Sequence, residues 1–329
     1  MKKYNDLTIN NLNKKIEFNC VEDYLNHWDE FFKKWKKSPE ATFDEDVIWR
    51  KHEGKEWVNK KGEKCSNELE PDVFPQPFLG NIKNHSVITL NLNPSRSKKY
   101  GYENFMEPDL NSNFKYEKYA ARFTSYNTHL FWKDQKIWID RIFKLLGEEK
   151  PSEKKIKPFA IEICPWGSKS WLDLKIKKER IKQIDIPTNF FLKYLDNYVF
   201  NIIEKVIQKN IFKSKIKIVL CIGKIYYDIF NHNSDFEKLS EFTKSRKTNN
   251  EVVAEPETLD QNFISKIKEN WPLNKNNVLT NRSFSFWKRN NTLYYNVFSP
   301  NGGKNNPPGK DFKKVEKEFF RIYKLYLTK

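Results

Sequence analysis

The sequence contains no Cys-x-x-Cys pair, no internal repeat and no apolar run of about 18 residues, and each absence removes a class of protein. Its four cysteines, Cys20, Cys65, Cys164 and Cys221, stand far apart, which suggests neither a zinc knuckle nor a redox dithiol. Cys164 and Cys221 fall inside apolar, strand-like stretches and read as buried thiols. The five histidines, His27, His52, His85, His129 and His232, show no ligand spacing, so neither a metal nor another cofactor is expected. The opening MKKYNDLTINNLNKK lacks the apolar segment of a signal peptide. The expectation is a protein that is neither secreted nor membrane-spanning, with a cytoplasmic location by default.

What the chain does have is aromatic mass and positive charge. Phe, Tyr and Trp make up 16% of its 329 residues, and each buries a large apolar area, so the chain can build a proper interior. Lys and Arg number 60 against 43 Asp and Glu, a net charge of +17. That balance favours a polyanionic partner, DNA, RNA or a nucleotide. The bland alternative is a solvated Lys-rich surface, since clustering of charge matters more than its total.

Residues 1–75 are polar and studded with aromatics, and read as an N-terminal helical and irregular cap. Within them, Val21 to Lys37 places Tyr24, Trp28, Phe31, Phe32 and Trp35 at spacings of three and four, one apolar stripe on a helix. The stripe reads as a face packed on a core rather than a ligand-binding surface. Residues 40–70 look irregular. From 76 to 329 the pattern predicts an α/β domain. Buried strands are expected at Ser86–Asn91, Lys157–Cys164 and Lys215–Ile222, and a hairpin at Arg282–Lys288 and Thr292–Phe298. Helices are expected at Leu130–Leu146, over 188–210, from Lys224, and from Phe312 to the last residue. Residues 231–280 look like a polar insertion. Strands alternating with helices predict a three-layer α/β/α sandwich around a central, mostly parallel, four-stranded sheet.

Ligands of open α/β sheets bind beyond the carboxyl ends of the strands. Three strands here end in polar, turn-forming sequence: Asn91-Leu92-Asn93-Pro94-Ser95, Glu162-Ile163-Cys164-Pro165-Trp166-Gly167-Ser168 and Ser299-Pro300-Asn301-Gly302-Gly303. Loop geometry alone can demand Asn, Pro, Ser and Gly. Taken together and in order, however, the three segments resemble the motifs of the uracil-DNA glycosylase superfamily. Asn91 to Ser95 is similar to that family's Gly-x-Asn-Pro-Gly. Pro77-Phe78-Leu79-Gly80-Asn81 is similar to the lead-in to that motif, and the segment Ala160 to Trp166 to a strand carrying Asn-x-Cys-Pro. Val219 to Lys224 is similar to the strand and Gly turn before the last hairpin, and Ser299-Pro300-Asn301-Gly302 to the closing His-Pro-Ser motif. The resemblance covers about residues 76–329.

It implies hydrolysis of an N-glycosidic bond on a base flipped out of DNA. Asn93 would position the attacking water. Ser299, in the place of the family's His, would face the base or a phosphate, and Lys304 would reach the backbone or fill the vacated stack. Backbone N–H groups near Gly302 would bind phosphate, with Asn91, Ser95, Ser168 and Asn301 as further contacts. Glu162 and Trp166 would recognise the base, with Tyr100, Tyr102 and Phe105 as stacking candidates. The sequence departs from the family at two places. Glu162 stands where uracil readers carry Asn, and an ionised carboxylate only accepts hydrogen bonds, which suits a donor-rich edge such as cytosine or adenine and reads uracil poorly. Glu162 also fits a general base, or a buried partner of a Lys. Ser299 cannot supply the charge of a His. Two alternatives follow: a catalytically silent module holding nucleic acid or nucleotide, and a nucleotide-processing enzyme in which Glu162 or Asp173 binds Mg²⁺.

Overall fold

A computed structural model describes residues 18–59, 62–92, 113–123, 139, 157–168, 172–209, 218–242 and 283–298. The chain divides into two compact units, Met1–Ser125 with Ile156–Ser214, and Tyr126–Lys155 with Lys215–Lys329. Helices and strands are mixed in both, an α/β composition. The helices expected at Leu130–Leu146 and from Phe312 lie outside the described residues, apart from Ile139, which is buried.

In the first unit, α1 (Val21–Lys37) has the bounds its stripe predicts. Tyr24, Phe32 and Trp35 are buried, and Phe32 stacks on Phe74 at 4.7 Å and on Tyr116 at 4.6 Å. The helix stops at Ser38 because Pro39, lacking an N–H donor, begins α2 (Pro39–Asp44). The stretch 40–70, irregular by its sequence, holds this helix and a small antiparallel pair, β1 (Glu56–Val58) and β2 (Lys64–Ser66). Three strands form the core of the unit: β3 (Phe78–Gly80), β4 (Val87–Asn91) and β5 (Pro158–Glu162). β5 lies between the others, antiparallel to β3 and parallel to β4. All thirteen of their residues are buried, which is why β4 and β5 read as continuous apolar runs.

α3 (Tyr116–Ala120) packs against α1 through Asp29, which accepts the Tyr116 N–H at 2.9 Å and pairs with Lys115 at 2.8 Å. A short β6 (Arg180–Ile181) and β7 (Ile186–Pro187) precede a long helical run. That run is α4 (Thr188–Leu195), one π turn at Asp196–Phe200, and α5 (Asn201–Lys209).

In the second unit, β8 (Ile218–Ile222) leads through Gly223 into α6 (Lys224–His232). Gly223 takes φ 134°, a backbone state open to glycine and strained for other residues, which explains the turn there. β9 (Glu237–Phe242), β10 (Ser283–Arg289) and β11 (Thr292–Phe298) complete the unit's sheet in the order β8-β11-β10-β9. β11 runs parallel to β8 and antiparallel to β10, and β10 is antiparallel to β9. The expected hairpin is present, turning at Asn290, whose φ of 51° suits the left-handed tolerance of Asn. The expectation of four strands is exceeded. β3 and β9 add edge pairings that the sequence did not declare, and β9 falls within the stretch read as an insertion.

Candidate functional site

The parallel register of β4 and β5 sets Asn91 directly beside Glu162, each the last residue of its strand. Both side chains leave the same face, because side chains alternate along each strand. Asn91 Nδ2 donates to Glu162 Oε1 at 3.0 Å, and Asn91 is 3% and Glu162 5% exposed. Beyond the pair the backbones stay together for two more residues, Ile163 N–H to Asn91 O at 2.9 Å and Cys164 N–H to Leu92 O at 2.8 Å. Glu162 is held from the other side by its N–H to Pro77 O at 2.9 Å. Two polar residues are thus buried and fixed where parallel strands end. Burial pushes the Cys164 thiol well above its usual range, and the carboxylates of Asp46 and Glu162 push it further. Cys221 is buried and its thiol is shifted upward by burial alone, so both sites disfavour the thiolate.

Trp166 is fully buried, and its Nε1–H donates to Asp46 Oδ2 at 2.8 Å. Ser168 is fully buried as well, in an antiparallel bridge with Leu69. Asp173 lies on the surface, 3.8 Å from Lys175. Of the other residues singled out in the sequence, Asn93, Ser95, Tyr100, Tyr102, Phe105, Ser299, Asn301, Gly302 and Lys304 lie outside the described residues. Among the described residues no group of three or more His, Cys, Asp or Glu is placed to hold a metal, and no helix is long and apolar enough to cross a membrane.

No family model, curated protein or solved structure matches this chain.

A second feature of the first unit was not legible as a site. A cleft of about 250 Å³ opens between α1, the turn at Glu45–Ile48, Pro165 and the run from Tyr194 to Tyr198. Its walls are the rings of His27, Trp28, Phe31, Tyr194 and Tyr198. The aromatic stripe of α1 therefore divides its duties: Tyr24, Phe32 and Trp35 enter the core, Trp28 is buried with them but also reaches the cleft wall, and the half-buried Phe31 lines the cleft. Asp46 sits in its lining and accepts three neutral donors, Ile48 N–H at 3.0 Å, Trp49 N–H at 3.1 Å and the Trp166 indole. Desolvation raises the Asp46 pKa against the pull of these bonds and of the Arg50 charge. His27 shares a 3.3 Å contact with the Tyr198 hydroxyl, and burial lowers its pKa to about 4, so it is neutral at pH 7.

In the second unit, Asn296 is fully buried within β11, beside Cys221 and Ser285 in register. Among the described residues its amide has no hydrogen-bond partner. A lone Asn inside the apolar run Thr-Leu-Tyr-Tyr-Asn-Val-Phe was the available signal, since strand interiors seldom keep an amide without a purpose.

Proposed function

We propose that this protein is a DNA glycosylase-type hydrolase acting on a flipped base whose edge is rich in hydrogen-bond donors. The observation that carries the reading is the Asn91–Glu162 pair, buried, bonded at 3.0 Å and lying at the carboxyl ends of two adjacent parallel strands. Burying a carboxylate costs free energy unless it has a partner or a task, and strand ends are where α/β sheets carry their ligands. The net charge of +17 favours DNA as the partner. In this reading the fold is the three-layer sandwich of the family that the sequence resembles.

The reaction balances simply. Water held by Asn93 forms a bond to the sugar C1′ as the C1′–N bond breaks. One proton of the water ends on the departing base and an abasic site remains. Glu162 accepts hydrogen bonds from the exocyclic amino group of a cytosine- or adenine-like base, and Asn91 fixes the carboxylate for that task.

The Ser at position 299, where the family carries His, favours a second reading, a silent module that holds DNA without cutting the glycosidic bond. One experiment separates the two. Purified protein is incubated with single- and double-stranded DNAs carrying native and modified bases, and hot alkali then converts abasic sites to strand breaks. Breaks at one base type, lost in Glu162→Gln, are expected of the hydrolase. Salt-sensitive binding without breaks identifies the module, and neither binding nor breaks overturns both readings.

A further inference from the structure

The cleft of the first unit has a composition opposite in sign to the chain around it. On a molecule of net charge +17, its lining carries three carboxylates, Glu30, Glu45 and Asp46, and one ammonium, Lys34. Lys34 is directed to Glu45 at 3.4 Å, and Glu30 to Lys33 at 2.5 Å. Asp46 differs from both: the hydrogen bonds it accepts from Ile48, Trp49 and Trp166 all come from neutral donors, and the Arg50 charge acts on it only through space.

The aromatic walls are continuous. Trp28 meets Phe31 edge-to-face at 5.1 Å, His27 meets Trp28 at 5.2 Å, and Tyr194 lies 4.8 Å from Tyr198. The two tyrosine hydroxyls are engaged elsewhere, Tyr194 with Ile163 O at 3.3 Å and Tyr198 with His27. With both hydroxyls engaged, what the walls have to offer is aromatic ring, whose negative quadrupole attracts cations.

We propose that this cleft binds a methylated ammonium group, with Trp28, Phe31 and Tyr198 as its ring walls and Asp46 as its counter-charge. A bare ammonium is strongly hydrated and needs three acceptors, and the acceptors of Asp46 are largely committed to its internal donors. Methylation removes those donor demands and weakens hydration while the charge remains. The volume suits one head group rather than a drug-sized ligand. An anion would meet the carboxylates, and a neutral apolar group would draw nothing from them. Neutral His27 does not compete as an internal cation. The proposal does not rest on the DNA reading, although Trp166 and Ile163 tie the cleft to the segment that follows Glu162.

The test is calorimetric titration of the full chain with tetramethylammonium chloride, with sodium chloride at matched ionic strength as the control. Neopentyl alcohol, an uncharged and water-soluble molecule that keeps a quaternary carbon bearing three methyl groups, is titrated alongside. The expected result is saturable binding of the cation at least tenfold tighter than of the alcohol. Asp46→Asn weakens it about tenfold, and so does Phe31→Leu, a substitution at a partly exposed wall residue that leaves the fold intact by circular dichroism. A second arm compares free choline with a short peptide bearing trimethyl-lysine and its unmodified twin. Preference for the modified peptide identifies a protein partner as the source of the group, and preference for choline identifies a metabolite. Equal binding of cation and alcohol, no saturation by the cation, or binding untouched by both substitutions overturns the proposal.

Discussion

Gly80 shows how one residue fixes the edge of the first unit's sheet. Its φ is 94°, and a Cβ added there would lie 2.3 Å from Pro158 O. Gly80→Ala therefore imposes both a disfavoured backbone state and a clash with the neighbouring strand, and we expect a loss of about 2 kcal/mol or more. A lowered urea midpoint with unchanged slope is the signature to look for. His85 makes a second, pH-dependent case. It is 3% exposed, its Nδ1 lies 3.1 Å from Ile82 O, and burial lowers its pKa from 6.5 to about 4. Between pH 6.5 and 4 the unfolded chain binds the proton and the folded chain does not, so stability falls as the pH drops through that window. The loss is on the order of 3 kcal/mol, fully developed below about pH 4. Unfolding measured from pH 7 to 4 should show a shallower decline in His85→Gln than in the unsubstituted protein.

At the scale of elements, one carboxylate supplies a polar link between α1 and α3 beside the Phe32–Tyr116 stack. Asp29 accepts the Tyr116 N–H and pairs with Lys115, and its side chain is 8% exposed. Asp29→Ala leaves a buried N–H without its acceptor, which costs about 1–3 kcal/mol. Hydrogen exchange should quicken first at Tyr116–Ala120, and Asp29→Asn, which keeps an acceptor, should recover part of the protection. Elements such as α1, β4, β8 and the β10–β11 hairpin could be read from the chain because each carries its own period or turn residues. β3 and β9 could not. Three residues, Phe78-Leu79-Gly80, are too few to show a period, and β9 draws on Glu237, Lys238 and Glu241, whose strand state depends on pairing with β10 rather than on hydrophobic pattern. The cleft escaped for a related reason. A stripe of aromatics announces a buried face, but which rings meet the core and which meet a cavity depends on what the opposite elements bring, here Asp46 and Tyr198 from distant stretches of the chain.

For the molecule as a whole, the polar strand ends were legible as a pattern, and the pairing that gives them meaning was not. Nothing in the sequence sets Asn91 beside Glu162, 71 residues apart, until β4 and β5 are in register. The central claim is that this carboxylate reads a donor-rich base edge, and the most direct measurement is competitive binding. Matched oligonucleotides differing at one position, cytosine, adenine or uracil, are competed against the unsubstituted protein and against Glu162→Gln at fixed salt. The account predicts about tenfold or greater preference for cytosine or adenine over uracil, since a matched donor–acceptor pair discriminates by about 1–3 kcal/mol, and loss of that preference in Glu162→Gln. Equal affinity for all three bases, or a preference that survives Glu162→Gln, would contradict it.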